Sequence, residues 1–345
     1  MKIIKILFSI LMTTVLLSAC GNNPQLQDSD EVKLILGAYT TPREAYRLII
    51  PLFQEYWLSE TGQTVIFDES YLGSGAQSRA VVEGFEADVV ALSLEADIDR
   101  ITDAGLIAHD WKQGDYKGIV TTSVVAFAVR EGNPHNIQDW KDLANPDLEI
   151  LTPNPNTSGG AMWNILAVYG AALRGQIDGV PADDPEAASA FLSQVLNNVR
   201  VMDKAARDSI LNFEKGIGDV AITYENEVLV GRQSGQTYEL VIPSSTILIE
   251  NPIAVVDASV EKHGTREAAE AFVAFVYTEP AQEIFARHGL RVVNPDVAEV
   301  SKSQYPDVKD LFTVDFYGGW PRIMVEIFGE GGIYTEVISQ VHGGD

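Results

Sequence analysis

The sequence is 345 residues long and carries a formal net charge of −25, with 46% hydrophobic and 21% charged residues. A chain of this length usually exceeds the size of one core, so we expect two lobes, each with a buried interior. The composition excludes an intrinsically disordered chain and a protein with many membrane spans. The acidic balance, without a cluster of lysine and arginine, excludes nucleic acid as a partner.

The N-terminus predicts a lipoprotein signal. Lys2 and Lys5 precede a mostly apolar stretch that ends in small residues before Cys20. This pattern predicts a signal peptide at residues 1–19, a lipid on Cys20 and a flexible tether at residues 20–31. The alternative is an ordinary secretory signal with an incidental cysteine. Because Cys20 is the only cysteine in the sequence, the chain has no internal disulfide.

Strand-like and helix-like segments alternate in the first part of the chain. Runs rich in β-branched residues are separated by segments with apolar residues at helical spacing. The predicted strands are 32–37, 64–68 and 88–92, and the predicted helices are 42–57, 76–85 and 95–104. This alternation is typical of an α/β lobe with a parallel sheet.

The remaining segments predict a second lobe inserted into the first. A long β-branched run at residues 118–129 predicts a strand that leaves the first lobe. The segments that follow predict helices around 139–143, 161–173, 186–197 and 209–215, and strands at 148–151, 200–202 and 219–224. Residues 240–257 predict two returning β pieces around Pro252, and two amphipathic helices are predicted at 265–277, with Thr265 as its cap, and at 280–288.

The lobe boundaries follow from this order. We assign residues 32–120 and 245–345 to lobe I and residues 121–244 to lobe II. An inserted lobe is connected by two strands and leaves a cleft between the lobes. Clefts of this kind close around a ligand by hinge motion.

Two glycine-containing turns predict an anion-binding site. Residues 151–164 (LTPNPNTSGGAMWN) join a strand end to a helix that opens with Ser158, Gly159 and Gly160, and residues 73–79 (GSGAQSR) form a similar turn in the first half. The first N–H groups of a helix have no partner within it and therefore bind anions. Taken alone, the Ser158 motif is also compatible with an ordinary helix-entry turn in which serine is the cap. Two such turns predict one ligand held between them.

An ordered set of motifs carries a family resemblance. They are residues 64–75 (TVIFDESYLGSG), 84–88 (GFEAD), 130–134 (REGNP), 152–161 (TPNPNTSGGA) with Trp163 and Asn164, 216–219 (GIGD) with 225–227 (ENE), and 316–320 (FYGGW). From about residue 32 to about residue 332 the chain resembles the sulfate-binding proteins of bacterial ABC uptake systems. The resemblance implies an α/β, two-lobe, periplasmic-binding-protein-like (type II) fold with a hinge between the lobes.

The resemblance also implies which residues bind the ligand. In that family a dianion is held mainly by backbone N–H groups at helix starts, and the matching positions here are Ser74, Ser158, Gly159, Gly160 and Ala206. Tyr224 lies where the family has a tryptophan that donates through its indole N–H, whereas a phenol either donates or accepts. Arg43 and Arg207 match family arginines near the cleft, and Met162 replaces another one.

The chemistry of the predicted site favours sulfate. Sulfate carries no proton at neutral pH and needs only donors, whereas phosphate carries a proton that needs an acceptor. The alternatives are another tetrahedral oxyanion, such as thiosulfate, molybdate or phosphate, or a sensor or scaffold lipoprotein that has lost transport. The predicted partners are an ABC permease and, through the lipid, a membrane, for a monomer in the periplasm or at the cell surface.

Nothing in the sequence predicts an enzyme, a cofactor or a metal site. Ser158 lies in no Gly-x-Ser-x-Gly elbow, and the five histidines are scattered without a partner at a useful spacing. The acidic residues form neither a His-Glu-x-x-His motif nor a calcium loop.

Overall fold

The computed structural model describes residues 31–343. The predicted signal peptide, Cys20 and nearly all of the tether lie outside the described residues. The strands are β1 (Glu31–Tyr39), β2 (Thr64–Leu72), β3 (Val89–Ala91), β4 (Ile119–Val129), β5 (Ile150–Pro153), β6 (Val199–Asp203), β7 (Val220–Tyr224), β8 (Glu239–Val241), β9 (Ser245–Val255), β10 (Arg291–Val292) and β11 (Asp310–Phe312).

The α-helices alternate with these strands. They are α1 (Arg43–Thr61), α2 (Ser74–Val82), α3 (Glu95–Asp103), α4 (Gly159–Leu173), α5 (Pro185–Asn197), α6 (Ala206–Glu214), α7 (Glu225–Gln233), α8 (Asp257–His263), α9 (Arg266–Phe275), α10 (Glu279–Arg287), α11 (Pro295–Ser301), α12 (Trp320–Glu326) and α13 (Ile333–Gly343). The segment predicted as a helix at 139–143 is a 3-10 helix, Trp140–Ala144. No helix within residues 31–343 is long and apolar enough to cross a membrane.

The first lobe is built on β1, which pairs in parallel with β2 on one side and β3 on the other. Leu34 and Leu36 of β1 lie in one buried cluster, and Ile35 packs against another on the opposite face. A parallel sheet is covered by helices on both faces, and the alternation of β1 side chains between two cores follows from that arrangement.

The second lobe is built around β5, which pairs in parallel with β6 and β7. Helix α4 lies in its core, and nearly all of its side chains are buried. A helix that is apolar all round is stable only when other elements surround it. This burial fixes α4, and with it the position of its first residues, Gly159 and Gly160.

Two long antiparallel strands connect the lobes. β4 pairs with β9 through residues 119–124 and with β7 through residues 125–129. β9 continues to β3 through Ile253, so the two strands run from one lobe into the other. The α/β two-lobe fold is therefore confirmed.

Pro252 does not divide β9 into two pieces, contrary to the prediction. It lies inside the strand opposite Ile119, where the register of β4 shifts between Ile119 and Thr121. Proline has no N–H to donate, and at such an irregularity no ladder hydrogen bond is lost. The carbonyl of Pro252 still accepts a hydrogen bond from the amide of Leu92, at 2.9 Å.

The C-terminal segment packs in the buried cluster that contains α4. Phe312 and Tyr317 lie in the same buried cluster as α4, as do Trp320 and residues of α13. Gly170 of α4 permits this contact, because a β-carbon at that position would lie 2.4 Å from the hydroxyl of Tyr317. Residues 312–337 therefore contribute to a buried cluster that contains α4 and also Tyr39 and Leu94 from the first part of the chain.

Candidate functional site

Three helices begin close to one another between the lobes. α2 follows the end of β2, α4 follows β5, and α6 follows β6. Gly73, which precedes α2, is so close to the second lobe that a β-carbon on it would lie 2.4 Å from the carbonyl oxygen of Thr157 and 2.6 Å from that of Lys204. Ligands of α/β proteins bind at such carboxyl ends of parallel strands.

The first amides of these helices are free to bind a ligand. Among residues 31–343, no group accepts a hydrogen bond from the amides of Ser74, Gly159, Gly160 or Ala206. The positive end of each helix dipole lies at the same amides. The arrangement therefore concentrates donors and partial positive charge between the lobes, and binding of a ligand by these four residues stays a prediction.

Ser158 occupies the N-cap position of α4, but its hydroxyl does not cap the helix. Its amide donates to the carbonyl of Asn154 at 2.9 Å. A β-carbon on Gly160 would lie 3.4 Å from the Ser158 hydroxyl, so this hydroxyl lies beside the free amides. An ordinary helix-entry turn, in which the serine side chain caps the helix, therefore does not explain this side chain. The hydroxyl of Ser158 is available to bind a ligand, whereas its amide is not.

Tyr224 and Ala206 lie beside Gly160 at the start of α4. A β-carbon on Gly160 would lie 2.8 Å from Cε2 of Tyr224 and 3.2 Å from Cβ of Ala206. The Tyr224 hydroxyl lies 2.6 Å from the hydroxyl of Ser93. Burial raises the pKa of Tyr224 above its ordinary value, so the phenol keeps its proton at neutral pH.

The hydroxyl of Ser74 is directed away from the other predicted groups. It donates to Asp97 at 2.5 Å and accepts from the amide of Ser93 at 2.9 Å. Arg100 forms an ion pair with Asp97 at 2.7 Å, which compensates the buried carboxylate. The contribution of Ser74 to a ligand is thus its backbone N–H group.

The two predicted arginines contact other side chains of the protein. Arg207 is held by carboxylates, at 2.9 Å from Glu44 and 3.1 Å from Glu227. Burial acts to lower the pKa of Arg207, but Glu227 and Glu44 raise it above its ordinary value. Arg43 is exposed, and its guanidinium lies 5.2 Å from the ring centroid of Tyr71. Direct contact of either arginine with a ligand stays a prediction.

Sequence reasoning missed residues that support the site. Ser93 lies in an apolar run and carries no local signal, and its partner Tyr224 is 131 residues away. The carbonyl of Thr157 accepts from the amide of Ala76 at 3.1 Å, which joins the two turns directly. Trp163 is fully buried, and its indole N–H donates to the carbonyl of Ser93 at 2.9 Å.

Comparisons with known proteins agree with this geometry. Residues 34–291 match the family model described as bacterial extracellular solute-binding protein. The chain is 44% identical to a sulfate-binding protein of Synechocystis sp., over 89% of this chain and 87% of that protein. It is 35% identical to a thiosulfate-binding protein of Escherichia coli, over 89% and 91%.

A solved structure has the same fold. The sulfate-binding protein SubI from Mycobacterium tuberculosis superimposes with a TM-score of 0.79 at 38% identity, covering 86% of this chain and 99% of that one. The family model covers most of the chain, and the similarity to these relatives extends over nearly all of it. The chain therefore belongs to the family of bacterial extracellular solute-binding proteins.

Proposed function

We propose that this protein binds sulfate between its two lobes and delivers it to an ABC permease. The observation that carries the proposal is the convergence of the free amides at the starts of α2, α4 and α6. The donors are the amides of Ser74, Gly159, Gly160 and Ala206, together with the hydroxyls of Ser158 and Tyr224. The names of the relatives support sulfate as the ligand.

The donor set fits a dianion in energy as well as in type. Roughly five to seven charge-assisted hydrogen bonds of about 1.5–3 kcal/mol each give about 8–20 kcal/mol before the costs of ordering and closure. After these costs, an affinity in the micromolar range, near −8 kcal/mol, is expected as an order of magnitude. Asp97 does not disturb this arrangement, since its carboxylate accepts from Ser74 and pairs with Arg100.

The cellular setting follows from the family and from the N-terminal pattern. We infer a lipid anchor at Cys20, a tether at residues 20–31 and a monomer outside the cytoplasmic membrane. Lobe I then comprises residues 32–120 and 245–345, with residues 121–244 as lobe II. The relatives are named as binding proteins, which supports a transport role without catalysis.

Calorimetric titration of the chain without its lipid anchor tests the proposal. We expect sulfate to bind in the micromolar range and hydrogen phosphate to bind at least tenfold more weakly, because its proton lacks an acceptor. Thiosulfate and molybdate are titrated under the same conditions. Tighter binding of thiosulfate than of sulfate would reassign the substrate, and no binding of any of the four anions would favour the sensor or scaffold.

A further inference from the structure

The Ser93 and Tyr224 hydroxyls form a buried hydrogen bond between the lobes. Ser93 follows β3 in the first lobe, and Tyr224 ends β7 in the second. Their oxygens are 2.6 Å apart, and the two residues are 0% and 1% exposed. The pair is therefore shielded from bulk water. In such a buried environment, a hydrogen bond and its direction have a larger energetic effect than in water.

This pair lies directly against the free amides of α4. A β-carbon on Gly159 would lie 2.6 Å from the Ser93 hydroxyl, and one on Gly160 would lie 2.8 Å from the Tyr224 ring. An anion bound at these two amides is consequently a neighbour of both hydroxyls. The pair belongs to the wall of the proposed sulfate site.

The backbone of Ser93 is fixed by three hydrogen bonds. Its amide donates to the Ser74 hydroxyl at 2.9 Å. Its carbonyl accepts from the indole of Trp163 at 2.9 Å and from the side chain of Asn251 at 3.0 Å. The backbone of Ser93 is thus held by both lobes and by β9, and its hydroxyl lies beside Tyr224.

The direction of the hydrogen bond follows from what else each hydroxyl can reach. Among residues 31–343, the Ser93 hydroxyl makes no hydrogen bond other than that with Tyr224. Either hydroxyl can be the donor in this pair, and the bound dianion is a strong acceptor beside both. A phenol is the stronger donor, so the arrangement that serves the dianion best directs the phenol hydrogen at the anion and has Ser93 donate to the phenol oxygen. The phenol hydrogen is then left for the anion, and phenols are better donors than aliphatic alcohols.

We propose that Ser93 is a specificity-determining residue that makes Tyr224 a donor toward the ligand. It acts through Tyr224 and is a positioning residue. With the phenol oxygen already occupied by Ser93, a protonated oxyanion such as hydrogen phosphate finds no acceptor there, whereas sulfate needs none. This inference rests on the proposed function, and it explains how the same site discriminates against a ligand that carries a proton.

The test compares the affinities for sulfate and inorganic phosphate in Ser93→Ala and in the unchanged chain. Removal of the hydroxyl leaves room for a water molecule, which accepts the phenol hydrogen and frees the phenol oxygen to accept from phosphate. We expect the preference for sulfate over phosphate to fall by roughly tenfold, the size expected when one buried hydrogen-bond partner is lost. An unchanged or increased preference overturns the inference.

Three controls separate this role from a structural one. Ser93→Thr keeps the hydroxyl and should keep the preference. The double variant Ser93→Ala with Tyr224→Trp should regain it, because an indole N–H only donates. Thermal unfolding without ligand reports whether Ser93→Ala folds, and if it does not, the Ser93→Cys variant, a much weaker donor, must show the same loss of preference. If the unchanged chain binds no sulfate, the proposed function fails instead.

Discussion

Gly73 limits how closely the two lobes approach. It lies just before α2 in the first lobe, and a β-carbon on it would overlap the carbonyl oxygens of Thr157 and Lys204 in the second. The backbone angles of Gly73, φ −59° and ψ 140°, are accessible to any residue. An alanine there is therefore tolerated within the first lobe, and the conflict arises only between the lobes.

We predict that Gly73→Ala weakens sulfate binding by roughly 10- to 100-fold, because overpacking of this kind costs about 1–3 kcal/mol. Calorimetric titration measures the affinity, and thermal unfolding without sulfate should change little. Gly75→Ala is the matched control, because a β-carbon there would lie 3.5 Å from the carbonyl oxygen of Thr157, an ordinary contact. Equal loss of affinity in both variants would contradict the argument.

Prediction at the residue scale succeeded where the signal was local. Ser158, Gly159 and Gly160 are consecutive, and their types alone indicate a helix start, at which the amides of the two glycines are free. Ser93 gave no such signal, because its role depends on Tyr224 in the other lobe. The contacts of Arg207 with Glu44 and Glu227 were likewise invisible, since sequence separation says nothing about which charges the fold brings together.

At the scale of elements, His263 joins the end of α8 to the start of β3. Its ring lies 2.8 Å from Asp88 and 3.2 Å from Glu86, which also pairs with Lys262. Partial burial acts to lower the pKa of His263, but hydrogen bonds to Asp88 and Glu86 raise it above its ordinary value. Thr265, predicted as the cap of α9, donates to the same Asp88 at 2.7 Å instead of capping the helix.

We predict that His263→Gln destabilises the protein at pH 6 by about 1 kcal/mol and much less at pH 9. Because the folded pKa is raised, the stabilisation is fully present below the unfolded value of about 6.5 and is lost as pH rises through the folded pKa. Urea unfolding at both pH values measures the difference. The control is His288→Gln, because the ring of His288 contacts the carbonyl of Ile284 and no carboxylate in this pair. An equal loss of stability of His263→Gln at both pH values would contradict the prediction.

The order of elements was predictable, but the contacts between distant elements were not. The alternation that predicted β1 to α3 depends only on local periodicity, and these elements form within a few residues of the predicted bounds. Helix α7 was missed because Glu225 and Glu227, in its first turn, are buried charges that no hydrophobic pattern indicates. The packing of residues 312–337 against α4 could not be predicted, because it depends on contacts between residues that are distant in sequence.

At the scale of the whole molecule, the formal charge of −25 opposes the approach of a dianion. The loss of the predicted signal peptide would remove two lysines and no acidic residue, which makes the chain more acidic still. The attraction must therefore act at short range, from helix amides and dipoles that are effective within the first turn. The electrostatic potential is thus negative at long range, whereas it is positive at the helix starts that form the site.

We therefore predict that added salt accelerates sulfate binding, opposite to the behaviour of an electrostatically steered pair. Raising NaCl from about 10 to about 300 mM shortens the Debye length and screens the repulsion, so the association rate should rise roughly two- to fivefold. Dissociation should change little, because the bonds to the amides are short and buried. Stopped-flow tryptophan fluorescence measures both rates, with KCl at equal ionic strength as the control. An association rate that falls with salt would show that arginines such as Arg43 and Arg207, not helix amides, dominate the electrostatic field at the cleft.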